Sequence, residues 1–142
     1  MGVRYKIIPE FSVVVVVQDG YIIDEKNISF YKKLIENSEI ESDYAFLVDH
    51  TNSEGELLST DAIQRLAEFS KQMKTIYNLH GKAAIIAPHD ITYGLTRMYQ
   101  AYADEIENNN QVFRDAQEAV DWLGIPMSVL EEVRNSDEED LD

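Results

Sequence analysis

Apolar and polar positions fall into distinct blocks along this chain. Val3, Tyr5 and Ile7 alternate with Arg4 and Lys6, the period-two pattern of a half-exposed strand over residues 3–8, best placed at a sheet edge. After a turn at Pro9-Glu10, residues 11–18 carry five consecutive valines and predict a strand covered on both faces. So short a connection makes the two strands antiparallel neighbours, and Asp19-Gly20 is expected to end the second. Residues 24–37 predict a helix with Ile28, Tyr31 and Ile35 as its inward stripe. A third strand, 44–48, leads into the polar cluster Asp49-His50-Thr51-Asn52 and a loop over 52–58. Ser59 or Thr60 then caps a helix reaching about Leu79, with Ile63, Leu66, Ala67, Met73 and Tyr77 inward and Gly81 as a left-handed stop.

The most legible stretch is 82–105. Residues 83–87 form an unbroken apolar strand, and Pro88 halts it because it has no N–H to donate. Asp90 or Thr92 is expected to cap the helix that follows. Ile91, Leu95, Met98, Tyr99, Tyr102 and Ile106 recur at helical spacing and predict its buried stripe. Gly94 disfavours a helix, and close approach to the sheet would explain it. A fifth strand over 111–114 follows the turn Asn108-Asn109-Asn110. Asp115 and Glu118 then form a capping box opening a helix that buries Ala116, Ala119, Val120 and Leu123, with Trp122 beside that face. Gly124 and Pro126 end it.

The order β-β-α-β-α-β-α-β-α predicts an α/β domain with a mixed sheet of about five strands and helices packed on it. One domain over residues 1–126 is expected, followed by an acidic, flexible tail over 127–142. Val129, Leu130 and Val133 hint at one or two further helical turns within that tail.

Charge narrows the function classes. The chain carries 27 acidic and 12 basic residues, a formal charge of −15, of which residues 127–142 contribute −6. So acidic a chain repels a nucleic-acid backbone and an anionic bilayer. The valine run is far too short to span a membrane, so no insertion is expected. Without cysteine there is no disulfide, thiol nucleophile or thiolate metal site. Pro9 and Glu10 interrupt any apolar leader, which makes a cytoplasmic location the expectation.

Candidate chemistry gathers at the carboxyl ends of the predicted strands, where α/β sheets bind ligands. Three such ends are polar: Asp49, His50 and Thr51; His89 and Asp90; and Arg114 with Asp115. Imidazole beside carboxylate can hold a divalent metal or move protons, although no metal-binding motif such as H-E-x-x-H is present. The plainer reading makes Asp90 and Asp115 caps and the histidines surface residues. Free N–H groups at the helix starts after Ser59 and Asp90, with Arg114 adding charge, suit a small anion, although the capping side chains already occupy those donors; Thr60 and Arg97 are further candidate ligand-binding residues. Tyr93, Met98, Tyr99 and Tyr102 could instead line a crevice for an apolar, lipid-like ligand, or simply close the core. No cofactor is implied.

Two segments carry a family resemblance: YGLTRMYQAY over 93–102 and VFRDAQEAVDWLG over 112–124. With the spacing of strands and helices around them, residues 4–125 resemble the SpoIIAA-like family, related to the STAS domains of anti-sigma-factor antagonists. The resemblance implies an interaction module rather than an enzyme, one that engages a protein partner. STAS modules as a group also bind nucleotides or apolar ligands. It further implies a phosphorylatable serine near Ser59 and Thr60, although residues 52–58 replace the usual Asp-Ser-Ser-Gly-like signature here. The edge strand 3–8 would also allow a homodimer.

Overall fold

The computed structural model describes residues 2–103 and 109–136. One five-stranded mixed sheet carries five α-helices among these residues. The strands are β1 (Gly2–Ile8), β2 (Val13–Tyr21), β3 (Ala45–Glu54), β4 (Ala83–Ile86) and β5 (Asn110–Phe113). The helices are α1 (Asp24–Ile35), α2 (Thr60–Tyr77), α3 (Asp90–Ala103), α4 (Ala116–Leu123) and α5 (Met127–Arg134). The sheet order is β1-β2-β3-β4-β5; β1 runs antiparallel to β2 at the edge and every other pairing is parallel.

This order decides the layering. Three crossovers of the same right hand, each stepping one strand in the same direction, put α1, α2 and α3 on one face. Val14, Val16, Val48 and Ile85 meet Phe30 and Leu34 of α1 there. The other face, built on Val13, Val15, Val17, Leu47, Ala84 and Ile86, is closed by α4 and α5. The alternating valines of β2 therefore feed two separate cores, which is why all five are buried.

Several local expectations are corrected. The expected turn at Pro9-Glu10 is a short 3-10 turn that takes in Phe11, and with Ser12 left-handed at its end β2 starts at Val13 rather than at Phe11. Asp19 and Gly20 continue β2 instead of ending it, because β3 is long enough to pair with them. Helix α1 turns Asn27, Phe30 and Leu34 inward, one position away from the expected stripe of Ile28, Tyr31 and Ile35, which are only half-buried. Tyr77 of α2 is exposed, and the left-handed residue after α2 is Asn78, not Gly81. Gly81 serves close approach: a Cβ there would lie 2.1 Å from the Tyr44 carbonyl oxygen.

Helix α3 departs furthest from its pattern. It buries Thr92, Thr96 and Ala103, and leaves Ile91, Met98 and Tyr102 exposed. Of the expected stripe, Leu95 and Tyr99 are half-buried and face the interior. Ile106, the last residue of the expected stripe, and Asn108 lie outside the described residues. Gly94 is on the exposed side with nothing near its missing side chain, so it does not serve close packing. Gly94→Ala is therefore expected to stabilise the fold by about 1 kcal/mol, read as a rise of about 3 °C in a thermal melt.

The boundary drawn after residue 126 falls inside the core. Val129, Leu130 and Val133 of α5 are buried against β2 and α4. The acidic residues 137–142 of the expected tail lie outside the described residues. No helix among the described residues is long and apolar enough to cross a membrane.

Candidate functional site

β3 and β2 fall out of step beyond Asp49. Val17 pairs with Asp49, but Asp19 pairs with Asn52, so β3 carries one extra residue opposite Gln18. Such a bulge re-aims side chains locally. Residues three apart on a regular strand face opposite sides; here Ser53 returns to the side of His50, and its Oγ lies 2.8 Å from His50 Nδ1.

The bonds beyond Ser53 set the roles. Ser53 Oγ–H donates to the Gln18 carbonyl at 2.7 Å, so Oγ accepts from Nδ1–H of His50. The Gln18 side chain exchanges a reciprocal pair of amide bonds with Asn27 of α1. All four residues are buried, so this network ties β2, β3 and α1 together where an unmet polar group would be costly. Burial pushes the His50 pKa down from 6.5 to about 4, with Asp49 only partly opposing the shift. The imidazole is neutral at pH 7.

His50 also lines a cavity of about 190 Å³ between the sheet and α1, α2 and α3. Its walls are mostly apolar, with Phe46, Val48 and Ile85 from the sheet and Leu66, Phe69 and Met73 from α2. Polar side chains are few. Asn27, His50, Ser70, Thr92, Thr96 and Asn110 are among them, and the phenols of Tyr31 and Tyr99 are raised in pKa by burial. Half-buried Leu58, Lys74 and Leu79 complete the wall.

The strand pleat separates Asp49 from His50. Asp49 projects toward α5, where Arg134 Nε donates to its Oδ2 at 2.7 Å and the hydroxyl and amide of Thr51 donate to Oδ1. The two residues adjacent in sequence therefore serve opposite faces. Imidazole and carboxylate do not converge, and among the described residues no group of three or more His, Cys, Asp or Glu is placed to hold a metal.

The remaining candidates form a separate exposed rim. His89 Nε2–H donates to the Thr51 carbonyl at 3.0 Å, which brings His89 to the backbone beside His50 while the two rings serve different places. Asp90 does not cap α3 with its side chain; its carboxylate accepts from Arg114 at 2.7 Å, and the His89 carbonyl takes the Tyr93 N–H. Arg114 lies 4.3 Å from the Tyr93 ring centroid, and Arg97 donates to the Tyr93 hydroxyl. Arg114 is thus already balanced by Asp90 in water. The parallel strands never reverse their order, so the rim lacks the crevice that a reversal opens.

Ser59 is the N-cap of α2 and accepts from the Ala62 N–H at 3.1 Å. Neither it nor exposed Thr60 bonds to the other candidates. Asp115 caps α4 through the Gln117 N–H, and Trp122 tilts against Phe113 of β5. Of the four residues expected to line an apolar crevice, only Tyr99 does so; Tyr93 is at the rim, and Met98 and Tyr102 face outward. Sequence reasoning missed Gln18, Asn27, Ser53 and Arg134. Their signal was faint: amides and a hydroxyl next to valine-rich strand, and a lone cation among carboxylates.

No protein-family model matches this chain, and no curated protein matches it either.

Burial of His50 makes stability depend on pH with a definite sign. The unfolded histidine protonates below 6.5, the folded one only near 4. Between these values the unfolded state binds more protons, so stability falls as pH drops from about 6.5 to about 4, by about 3 kcal/mol in all. Urea unfolding at pH 7 and pH 4 is expected to show a smaller difference for His50→Gln than for the native chain. An equal difference would mean that His50 titrates normally.

Proposed function

We propose that this chain is a non-enzymatic binding module whose interior cavity takes a small apolar, lipid-like molecule. The cavity of about 190 Å³ carries the reading. The cavity is partly open, so when unoccupied it leaves water against mostly apolar walls. Filling it recovers dispersion contacts and keeps water off apolar walls. By comparison with a 150 Å³ cavity that accepts benzene, the space suits a molecule of roughly eight non-hydrogen atoms.

Native mass spectrometry of protein purified without denaturant tests this, alongside thermal melts with added 1-octanol. A retained small molecule or a rise in melting temperature, lost in a cavity-filling Leu66→Trp variant, supports the reading. Protein that retains nothing and does not respond to the alcohol refutes it.

The second reading is a SpoIIAA-like, STAS-related module that engages a protein partner. It draws on the two motifs and on the apolar residues Ile91, Met98 and Tyr102, exposed at helical spacing on α3. A partner retained by the native chain and lost with Met98→Glu, while the cavity still binds its ligand, would favour it; retention by both would count against the α3 face. Phosphorylation at Ser59 or Thr60 would add to this reading and is read by mass spectrometry after kinase treatment. β1 is the sheet edge, and light scattering decides whether it pairs with a second copy. A metal-dependent or acid–base role for the His50 and His89 rim is the weakest reading, because Asp49 and His50 face apart.

A further inference from the structure

With the cavity taken as a ligand site, as proposed above, its polar end sets the head group of the ligand. Ser53 spends its hydroxyl proton on the Gln18 carbonyl and so requires the His50 proton on Nδ1. The other ring nitrogen, Nε2, is then a bare acceptor, and no described residue donates to it. The tautomer is set by backbone geometry: the extra residue in β3 brings Ser53 beside both His50 and Gln18. Because burial keeps the ring neutral, it offers a lone pair rather than a charge at pH 7.

The lining follows β3 from Tyr44 to His50, roughly 20 Å at about 3.3 Å per residue. A modest volume spread along such a wall favours a slender occupant. We propose that the cavity selects an unbranched apolar chain ending in one neutral hydrogen-bond donor, a primary alcohol in chemical class, with its hydroxyl donating to His50 Nε2. Lys74 is the cation among the lining residues, in the last turn of α2 toward Leu79 and Gly81, and Gly81 abuts the backbone of Tyr44, the lining residue six positions along the strand from His50. A carboxylate would therefore be drawn away from His50.

Calorimetry with 1-octanol, its isomer methyl heptyl ether and octanoate tests this at pH 7. The alcohol and ether have the same atoms and differ in the donor. The native chain is expected to bind the alcohol at least tenfold more tightly than the ether, and His50→Leu to bring the two within twofold. Ser53→Ala, which keeps the ring and frees its tautomer, is expected to narrow the preference, since Nε2–H can then donate to an ether oxygen. Equal binding of alcohol and ether by the native chain overturns the inference and leaves the cavity reading standing. So does octanoate binding tightest, with that advantage lost in Lys74→Met. If none of the three binds, the cavity reading fails as well.

Discussion

A chain ending at Pro126 is expected not to fold cooperatively, whereas the full chain is expected to melt in one sharp transition. The shorter chain lacks α5 and with it Val129, Leu130 and Val133, which are 5%, 0% and 1% exposed. Burying such side chains contributes about 1.5–3 kcal/mol each, so the three together reach about 6 kcal/mol, within the whole stability of an ordinary domain. The loss does not end there, because Val13, Val15 and Val17 share that core and would face water. Near-ultraviolet circular dichroism and a thermal melt check the outcome. A sharp transition in the shorter chain would mean that α5 is an ornament. The point substitution Leu130→Ala, expected to cost about 3 kcal/mol, addresses the same packing without shortening the chain.

Arg134→Met is expected to cost about 3 kcal/mol, and more than Asp49→Asn. The asymmetry follows from burial. Asp49 is 2% exposed, while a third of the Arg134 side chain reaches solvent. Removing the arginine strands a carboxylate in the interior with only the two Thr51 donors left to it. Neutralising the aspartate leaves a guanidinium that can still hydrate. The Asp49→Asn, Arg134→Met double variant is expected to recover part of the loss, which urea unfolding of all three variants would measure. If Arg134→Met and Asp49→Asn cost the same, the buried carboxylate is not the dominant cost. The result also bears on the cavity, because Arg134 and Asp49 brace β3 on the face opposite His50.

The element order was legible because each strand and helix had a period strong enough to survive its surroundings. The five valines of β2, the apolar run of β4 and the alternation in β1 each occupy the predicted place. Helix faces were less legible. In α3 the helical spacing of Ile91, Met98 and Tyr102 was real, yet these three are exposed and the buried residues are Thr92, Thr96 and Ala103. A pattern records which residues share a side, not which side the neighbouring sheet will take. The same limit explains α1, whose stripe lies one position away, and α5, whose buried residues were seen only as a hint in an acidic tail.

The candidate site was legible as an address rather than as an arrangement. Asp49, His50 and Thr51 stood out as a polar cluster after an apolar strand, and they are where β3 bulges. By itself the sequence determined the strand and helix order, the double burial of β2, the edge position of β1 and the presence of polar chemistry at residue 50, because these follow from local periodicity and side-chain type. Only the tertiary structure decided that Asp49 and His50 look opposite ways, that Arg134 returns to meet Asp49, and that a cavity lies between the sheet and its three crossover helices. Those outcomes depend on register and on contacts between segments as many as 85 residues apart in the chain, which no local pattern encodes.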